Sequence, residues 1–350
     1  MDVLCASLRK LILSPALTDE SSVNVRDIAD ALPVARTNKL AILFKRSIGS
    51  EAALEVQKLF AEDLQKIAFL NSKILQIIQA ANRALHDAGI RHAFYKGPLQ
   101  QKILYGDYYA KPCLDADILV SPKDFKAARG ALLDAGFRIP DGYSGLWWTF
   151  FLGEQPLLAP GQLYSVDLHH RLQQPGSPAP RHIIEFLDDV TPVPLGSQSV
   201  PTIGLRGIAM VAAMNLVKAV YHREPTGGHA LDVLVAMSKM TADGIEETQA
   251  QARVQGLAGT LSFAAELAAE VFGVSNPLGR DAYKLPLDVA RARQLIFAGE
   301  GQPLQRRKLL VHLCDRPLID APIEAIRWIM SEAALHSSPL TGKPSNSKAA

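Results

Sequence analysis

The chain has 350 residues, 48% of them hydrophobic, with 37 basic against 35 acidic side chains and a formal net charge of +2. That length and apolar content support a large core and more than one packing unit, while the near-balanced charge, with no long basic block, excludes a scaffold that coats nucleic acid through bulk charge. Cys5, Cys113 and Cys314 are odd in number and far apart, which excludes a disulfide framework or a zinc motif and makes a reducing, cytoplasmic compartment the expectation.

In chain order, Asp2 precedes Leu4 with no basic region leading into an apolar run, so no signal peptide is expected. Residues 1–48 carry short helical patterns around Leu8, Leu11 and Ile12 and around Ile28 and Leu32, interrupted at Pro15 and Pro33. Residues 50–88 read as two helices. Leu64, Ile67, Ile74, Ile78, Ala81 and Leu85 recur on one face, and Gly89 marks the stop. A strand is expected at 91–95, then a turn at Lys96-Gly97-Pro98 opening a helix through Leu99, Ile103 and Leu104, and next a strand from Lys111 to Val120. Ser121-Pro122-Lys123-Asp124 reads as an N-cap, with Ser121 as the cap and Asp124 in the capping-box position. The helix that follows, through Phe125, Ala128, Leu132 and Leu133, stops before Gly136-Phe137 much as the earlier one stops after Leu85. Two matches this short do not make a repeat.

Glycines and prolines break the pattern over 138–160, where Trp147, Trp148, Phe150 and Phe151 fit a hairpin packed on the core better than an aromatic wall over a substrate. Leu163 to Leu168 reads as a strand. Residues 173–202, rich in Pro, Gly and Ser around a short helix at 181–187, read as a crossing between domains. Helices are then expected at 204–222, 229–240, 243–256, 260–272, 286–298, 303–313 and 321–334. The most apolar of these, 205–220, contains Arg206, Asn215 and Lys218 and is too short and polar to span a bilayer, so no membrane partner is expected. The fold class is α/β (α+β): a core with a small mixed sheet over 89–200, an N-terminal helical region over 1–88, a C-terminal helical domain over 201–336, and a disordered tail from 337.

The chemistry concentrates in Leu114 to Val120. Side chains alternate along a strand, so Asp115 and Asp117 point the same way. Two like charges on a mostly buried strand are costly unless a cation sits between them, and hard oxygen ligands suit magnesium. Asp167 is a third carboxylate on an otherwise apolar strand and shares its face with Ser165 and His169. Three carboxylates around one or two magnesium ions suit phosphoryl or nucleotidyl transfer. Lys96-Gly97 at a helix start supplies a cation and backbone N–H groups for a phosphate. Neither a Walker A pattern nor Gly-x-Gly-x-x-Gly is present.

Taken together, the strand before Lys96-Gly97, the helix ending Leu104-Tyr105-Gly106-Asp107, Asp115-Ala116-Asp117-Ile118-Leu119-Val120, the helix ending Ala135-Gly136-Phe137, and Val166-Asp167-Leu168-His169 resemble a family of mostly uncharacterised nucleotidyltransferases within the DNA-polymerase-β-like superfamily. The resemblance implies that Asp115 and Asp117 bind the metal that holds a nucleoside triphosphate. It makes Asp167 a ligand of the catalytic metal that helps activate an acceptor hydroxyl, and makes Gly97 the phosphate-binding turn with Lys96 beside it. Pro98 stands where superfamily members often carry a serine or glycine. Lys111 stands near the place of a frequent arginine, keeping the charge and losing the fork. His169 orients Asp167, touches the acceptor or is structural, with His170 and Arg171 at the edge of the site. Arg206, Lys218, His222, Arg223 and Asp232 are candidates to line the cleft, although a solvated helix face is the simpler account of most. Cys113 reads as a small buried residue.

The implied activity is Mg²⁺-dependent transfer, at a two-metal site, of a nucleoside monophosphate from an NTP, ATP among them. The acceptor is a hydroxyl of a small molecule, a protein or an RNA end, and pyrophosphate is released. Two alternatives share the fold: a phosphotransferase using the same carboxylates, and a catalytically degenerate module acting as nucleotide sensor or protein-interaction domain. Asp117→Asn is expected to leave the fold intact and, by relieving like-charge repulsion, to raise stability in the absence of metal.

Overall fold

The computed structural model describes residues 1–13, 24–49, 54–161, 163–279, 288–299 and 313–335. Its strands are β1 (His92–Phe94), β2 (Asp115–Val120), β3 (Glu154–Leu158), β4 (Ser165–His169), β5 (Val190–Leu195) and β6 (Gln198–Ile203). They form one mixed sheet in the order β3-β4-β2-β1-β6-β5. The pairs β2–β4 and β1–β6 are parallel and the other three antiparallel. The helices before the sheet are α1 (Asp2–Arg9), α2 (Val25–Thr37), α3 (Ala41–Ile48), α4 (Leu54–Leu59) and α5 (Ala61–Asp87). Within it lie α6 (Gly97–Tyr105), α7 (Phe125–Asp134) and the short α8 (Glu185–Asp188). After it come α9 (Leu205–His222), α10 (Gly227–Ser238), α11 (Ala242–Gln255), α12 (Ala258–Phe272), α13 (Val289–Ala298) and α14 (Asp320–Leu335).

The alternation of side chains along the strands sorts the molecule into two cores. Ala116, Ile118 and Val120 of β2, Phe94 of β1 and Val166 and Leu168 of β4 point to one face. There they pack with Ile74, Ile78, Ala81 and Leu85 of α5 and with Ala128 and Leu132 of α7. The intervening residues Ala93, Tyr95 and Leu119 point to the other face, where the apolar sides of α9, α10 and α12 form the larger core. The same core takes in Leu4, Leu8, Ile28, Leu32, Leu43 and Phe44 of α1–α3. Arg9 Nε donates to Phe272 O at 2.8 Å, tying α1 to the end of α12.

Several local expectations are corrected. Pro33 lies inside α2 without ending it. The strand expected from Lys111 is regular only over Asp115–Val120. Ser121 does not cap the helix: Ser121 Oγ donates to Asp124 Oδ2 at 2.9 Å, residues 122–124 form a turn, and α7 starts at Phe125. The aromatic run is a π-helical turn, Trp147–Leu152, with Phe150 67% exposed, and not a hairpin on the core. The stretch expected as a crossing between domains contains the antiparallel hairpin β5–β6. Its prolines hid it from sequence reading. In the structure Pro192 stands opposite Pro201, so two missing N–H groups fall on one rung, and β5 is an edge strand where proline is tolerated. The helix expected at 303–313 falls almost wholly, and the tail from 337 wholly, outside the described residues. Among the described residues no helix is long and apolar enough to cross a membrane, and Cys5, Cys113 and Cys314 are free thiols.

Candidate active site

The site lies on the face of the sheet turned toward α9 and α10. In the parallel register of β2 and β4, Asp117 is the direct neighbour of Asp167, and Asp115 is the neighbour of Ser165. His169 follows two positions along β4 on the same face, and across the antiparallel pair it stands opposite Glu154 of β3. Ligand atoms of Asp117, Asp167 and His169 all lie within 4.8 Å of one another. Asp117 and His169 are each 6% exposed. His169 Nε2 stands 3.1 Å from Asp117 Oδ1 but off the line of a hydrogen bond, and its Nδ1 is 3.7 Å from Glu154 Oε2. Lys96 Nζ donates to the same Asp117 oxygen at 3.2 Å. Tyr95 packs its ring edge-to-face on His169 at 5.3 Å between centroids and closes the apolar side.

Protonation follows from these contacts. Burial alone would raise the pKa of Asp117, but Lys96 and then His169 outweigh it and hold the carboxyl well below the usual range. Asp167 has only the charge of His169 to oppose its burial, and that is outweighed. Burial first, and the charge of Asp117 second, push it up to about 7. Asp115 is also raised, by burial and by Asp117. Burial lowers the pKa of His169, and its contact with Asp117 outweighs this and raises it. Asp167 Oδ1 and His169 Nε2 are buried and have no hydrogen-bond partner among the described residues. A buried polar atom without a partner is costly, and among the described residues Asp167 Oδ1 has neither a hydrogen-bond nor an ion-pair partner. Two carboxylates and an imidazole at this spacing fit a divalent cation.

Beside the carboxylates opens a cavity of about 170 Å³. Its floor is the start of α6. Gly97 holds φ +76°, a conformation that L side chains rarely adopt, and turns the chain from Lys96 into the helix, so that the first turn of α6 lines the cavity at Gly97, Gln100 and Gln101. Its other walls carry Lys39, Lys111, His229 and Asp232. Lys111 is ion-paired with the buried Asp232 of α10, which also accepts from Tyr105 Oη at 2.6 Å. Lys39 sits in a left-handed turn at φ +59° after Asn38. Asn38 is clamped by Nδ2 donating to Phe297 O at 3.0 Å and by Gly227 N donating to its Oδ1 at 2.8 Å. Burial, with Lys111 and Lys39 adding to it, drives the pKa of His229 far down, so its ring is neutral among cations.

The structure thus brings together Asp117, Asp167 and His169, with Lys96 on Asp117. Asp115 and Gly97 line the adjoining cavity, as does Lys111, which is engaged by Asp232. Of the cleft candidates on the later helices, Asp232 lines the cavity, and Lys218 is half-buried on α9, its pKa lowered by burial and by the charge of Lys96. Arg206 is instead bound to Asp189 and Glu247 at the far end of α9. His222 and Arg223 are exposed at its C-terminus. Cys113 is half-buried, and its Sγ accepts from Gln101 Nε2 at 2.9 Å. Sequence reading missed Glu154, Lys39 and His229. Only Glu154 had an available signal: alternation along Glu154, Pro156 and Leu158 puts it on the face of its strand that Asp167 and His169 share once that strand is paired with β4.

A mixed sheet with neighbouring aspartates on a parallel pair, a glycine turn beside them and helices on both faces defines a nucleotidyltransferase-like α/β core with helical extensions. The chain belongs to a family described as uncharacterised nucleotidyltransferase, whose model matches residues 24–273, more than half of its length. No curated protein matches the chain.

Proposed function

We propose that this protein is a magnesium-dependent nucleotidyltransferase of a reducing, cytoplasmic compartment, transferring a nucleoside monophosphate from an NTP to an acceptor hydroxyl with release of pyrophosphate. The observation that carries this reading is the β2–β4 register, which sets Asp117 beside Asp167 and brings His169 within ligand reach of both. Asp117, Asp167 and His169 would hold the metal, with Asp115 on the triphosphate side. Bound there, the metal supplies positive charge that neutralises phosphate oxygens and acidifies a hydroxyl. Lys96, the free N–H groups at the start of α6 and Lys39 face the cavity as phosphate holders, and Lys111 joins them from its pair with Asp232. The cavity, at about 170 Å³, is smaller than the roughly 300 Å³ or more of an ordinary small-molecule pocket, which suits the phosphate end of a nucleotide with the base outside. In the reaction the acceptor oxygen bonds the α-phosphorus as the bond to the bridging oxygen of pyrophosphate breaks, and the carboxylate of Asp167 faces the hydroxyl proton.

The test is pyrophosphate release from each of the four NTPs with Mg²⁺ and a pool of candidate acceptors, read together with acceptor mass. A mass gain of one nucleotide, lost in Asp117→Asn, is the expected result. Transfer of a single phosphoryl group would replace this reading with the phosphotransferase one. Absence of both turnover and metal-dependent NTP binding would overturn it in favour of the degenerate module.

A further inference from the structure

A second cavity, of about 440 Å³, opens at the other end of the parallel pair. Pro122, just past β2, and His170 and Arg171, just past β4, form its inner wall, and Arg181, Glu324 and Arg327 face them. His170 and Arg171 directly follow His169, so this cavity adjoins the carboxylate site at the end of β4, yet the two cavities share no lining residue.

Its charges do not balance. Arg181 Nη2 pairs with Asp320 Oδ2 at 2.6 Å, and Arg327 Nη1 pairs with Glu324 Oε1 at 2.6 Å. The other Glu324 oxygen, Oε2, accepts from Gly176 N at 3.4 Å. Arg171 has no carboxylate within ion-pair distance among the described residues. Its guanidinium makes one long contact, Nη1 donating to Phe151 O at 3.5 Å, and most of its donors have no protein partner there. Burial and the nearby charge of Arg327 both weigh against the cation, with Glu324 opposing them.

The fold nevertheless holds this side chain in place. Gly153, at φ +70° after the π-helical turn, leaves the space through which the Arg171 stem runs: a Cβ there would lie 2.5 Å from Arg171 Cγ and Cδ. His170 N donates to Gly153 O at 2.9 Å and fixes the strand end that carries Arg171. A rigid, half-buried guanidinium lacking a counter-charge, with a like-charged neighbour, is costly unless an anion joins it. One carboxylate would be satisfied by one guanidinium fork. Guanidinium groups arriving from the strand end, the 178–181 loop and α14 suit the several oxygens of a tetrahedral anion, and the cavity has room for an attached organic group.

We propose that this cavity is a phosphate-binding site, centred on Arg171 and distinct from the metal site, for inorganic phosphate or the phosphate of a small monoester. The test is calorimetric titration of the full chain, free of divalent metal, with inorganic phosphate and separately with ribose 5-phosphate as a monoester probe. Saturable binding is expected, weakened about tenfold or more in Arg171→Met and less in Arg171→Lys, whereas phosphate held in the carboxylate-site cavity would instead be weakened in Lys96→Met. Without phosphate, Arg171→Met should melt higher than the parent chain, which also shows that it folds. Equal affinity for the two probes identifies the free ion as occupant, and tighter binding of the ester identifies a phosphorylated small molecule. Failure of the parent chain to bind either probe at about 10 mM, undiminished binding in Arg171→Met, or loss confined to Lys96→Met would each overturn the proposal.

Discussion

Asp117 and Asp167 are neighbours of the same type on the same face, and the protein holds them in opposite electrostatic states. Asp117 is ionised between Lys96 and His169, and a folded pKa below the unfolded value means its contribution is present above about pH 4 and is lost as pH falls. Asp117→Asn removes the nearest counter-charge of both cations, leaving Lys96 the more distant charge of Asp115 and His169 that of Glu154 at 3.7 Å. It should lower stability near neutral pH by about 3 kcal/mol in a denaturant titration, besides removing activity. This reverses the expectation from the sequence, where only the repulsion between Asp115 and Asp117 was visible. Asp167 behaves in the opposite sense. Its pKa, raised from 3.8 to about 7, favours the folded state at low pH, and that advantage is lost as pH rises toward and past 7. Metal-free Asp167→Asn should therefore melt higher than the parent chain at about pH 8, by at most about 4 kcal/mol, with the difference closing toward about pH 4. Metal affinity should climb through neutral pH as Asp167 and then His169 lose their protons, with protons released on binding; calorimetry in buffers of different ionisation enthalpy measures both. The shared face of Asp115 and Asp117 was legible because strand alternation is local. The ion-pair contact of His169 with Asp117 was not, because it depends on which strand β2 takes as its parallel neighbour.

Among the elements, α6 carries the phosphate-facing turn, and one residue sets its entry. A methyl group at Gly97 would meet only Asp115 O at 3.8 Å and Cys113 Sγ at 3.9 Å, so the space is tolerant and the backbone is not. Gly97→Ala is expected to cost about 1 kcal/mol through its positive φ alone, and to weaken NTP binding more than the stability loss explains, because the first turn of α6 is re-aimed. Melting curves and nucleotide titrations on one preparation separate the two effects. Helices such as α5 and α9 were legible from their apolar spacing. The β5–β6 hairpin was not, because Pro192, Pro194 and Pro201 each remove the local signature of a strand while their pairing across the ladder keeps it. The 147–152 turn was misjudged because its aromatic run carries neither the two-residue nor the 3.6-residue period.

At the scale of the molecule, the sheet and the helical block meet through Lys111, Asp232 and Tyr105. Asp232 is buried on α10, and its partners come from the segment after α6 and from α6 itself. Asp232→Asn should cost about 3 kcal/mol, since the Lys111 ammonium is then buried without its counter-charge. If the sheet and the helices unfold together, one cooperative transition shifts; a new early transition would mean that they come apart there. The positions of the helices were legible, but the sharing of one core by α1–α3 and α9–α13 was not, since nothing within residues 2–48 names a partner more than 150 residues downstream.

That shared core also sets an order of events during synthesis. Leu4, Leu8, Ile28 and Phe44 emerge from the ribosome more than 200 residues before Phe272 and Phe297, which belong to the surface that covers them. At roughly 5–20 residues per second, the opening helices spend at least ten seconds or so as exposed apolar segments. In that interval they have one another and nearby residues such as Phe60 to pack on, and a ribosome stalled before α12 would present a chain whose first helices lack the side of the core that α12 and α13 supply.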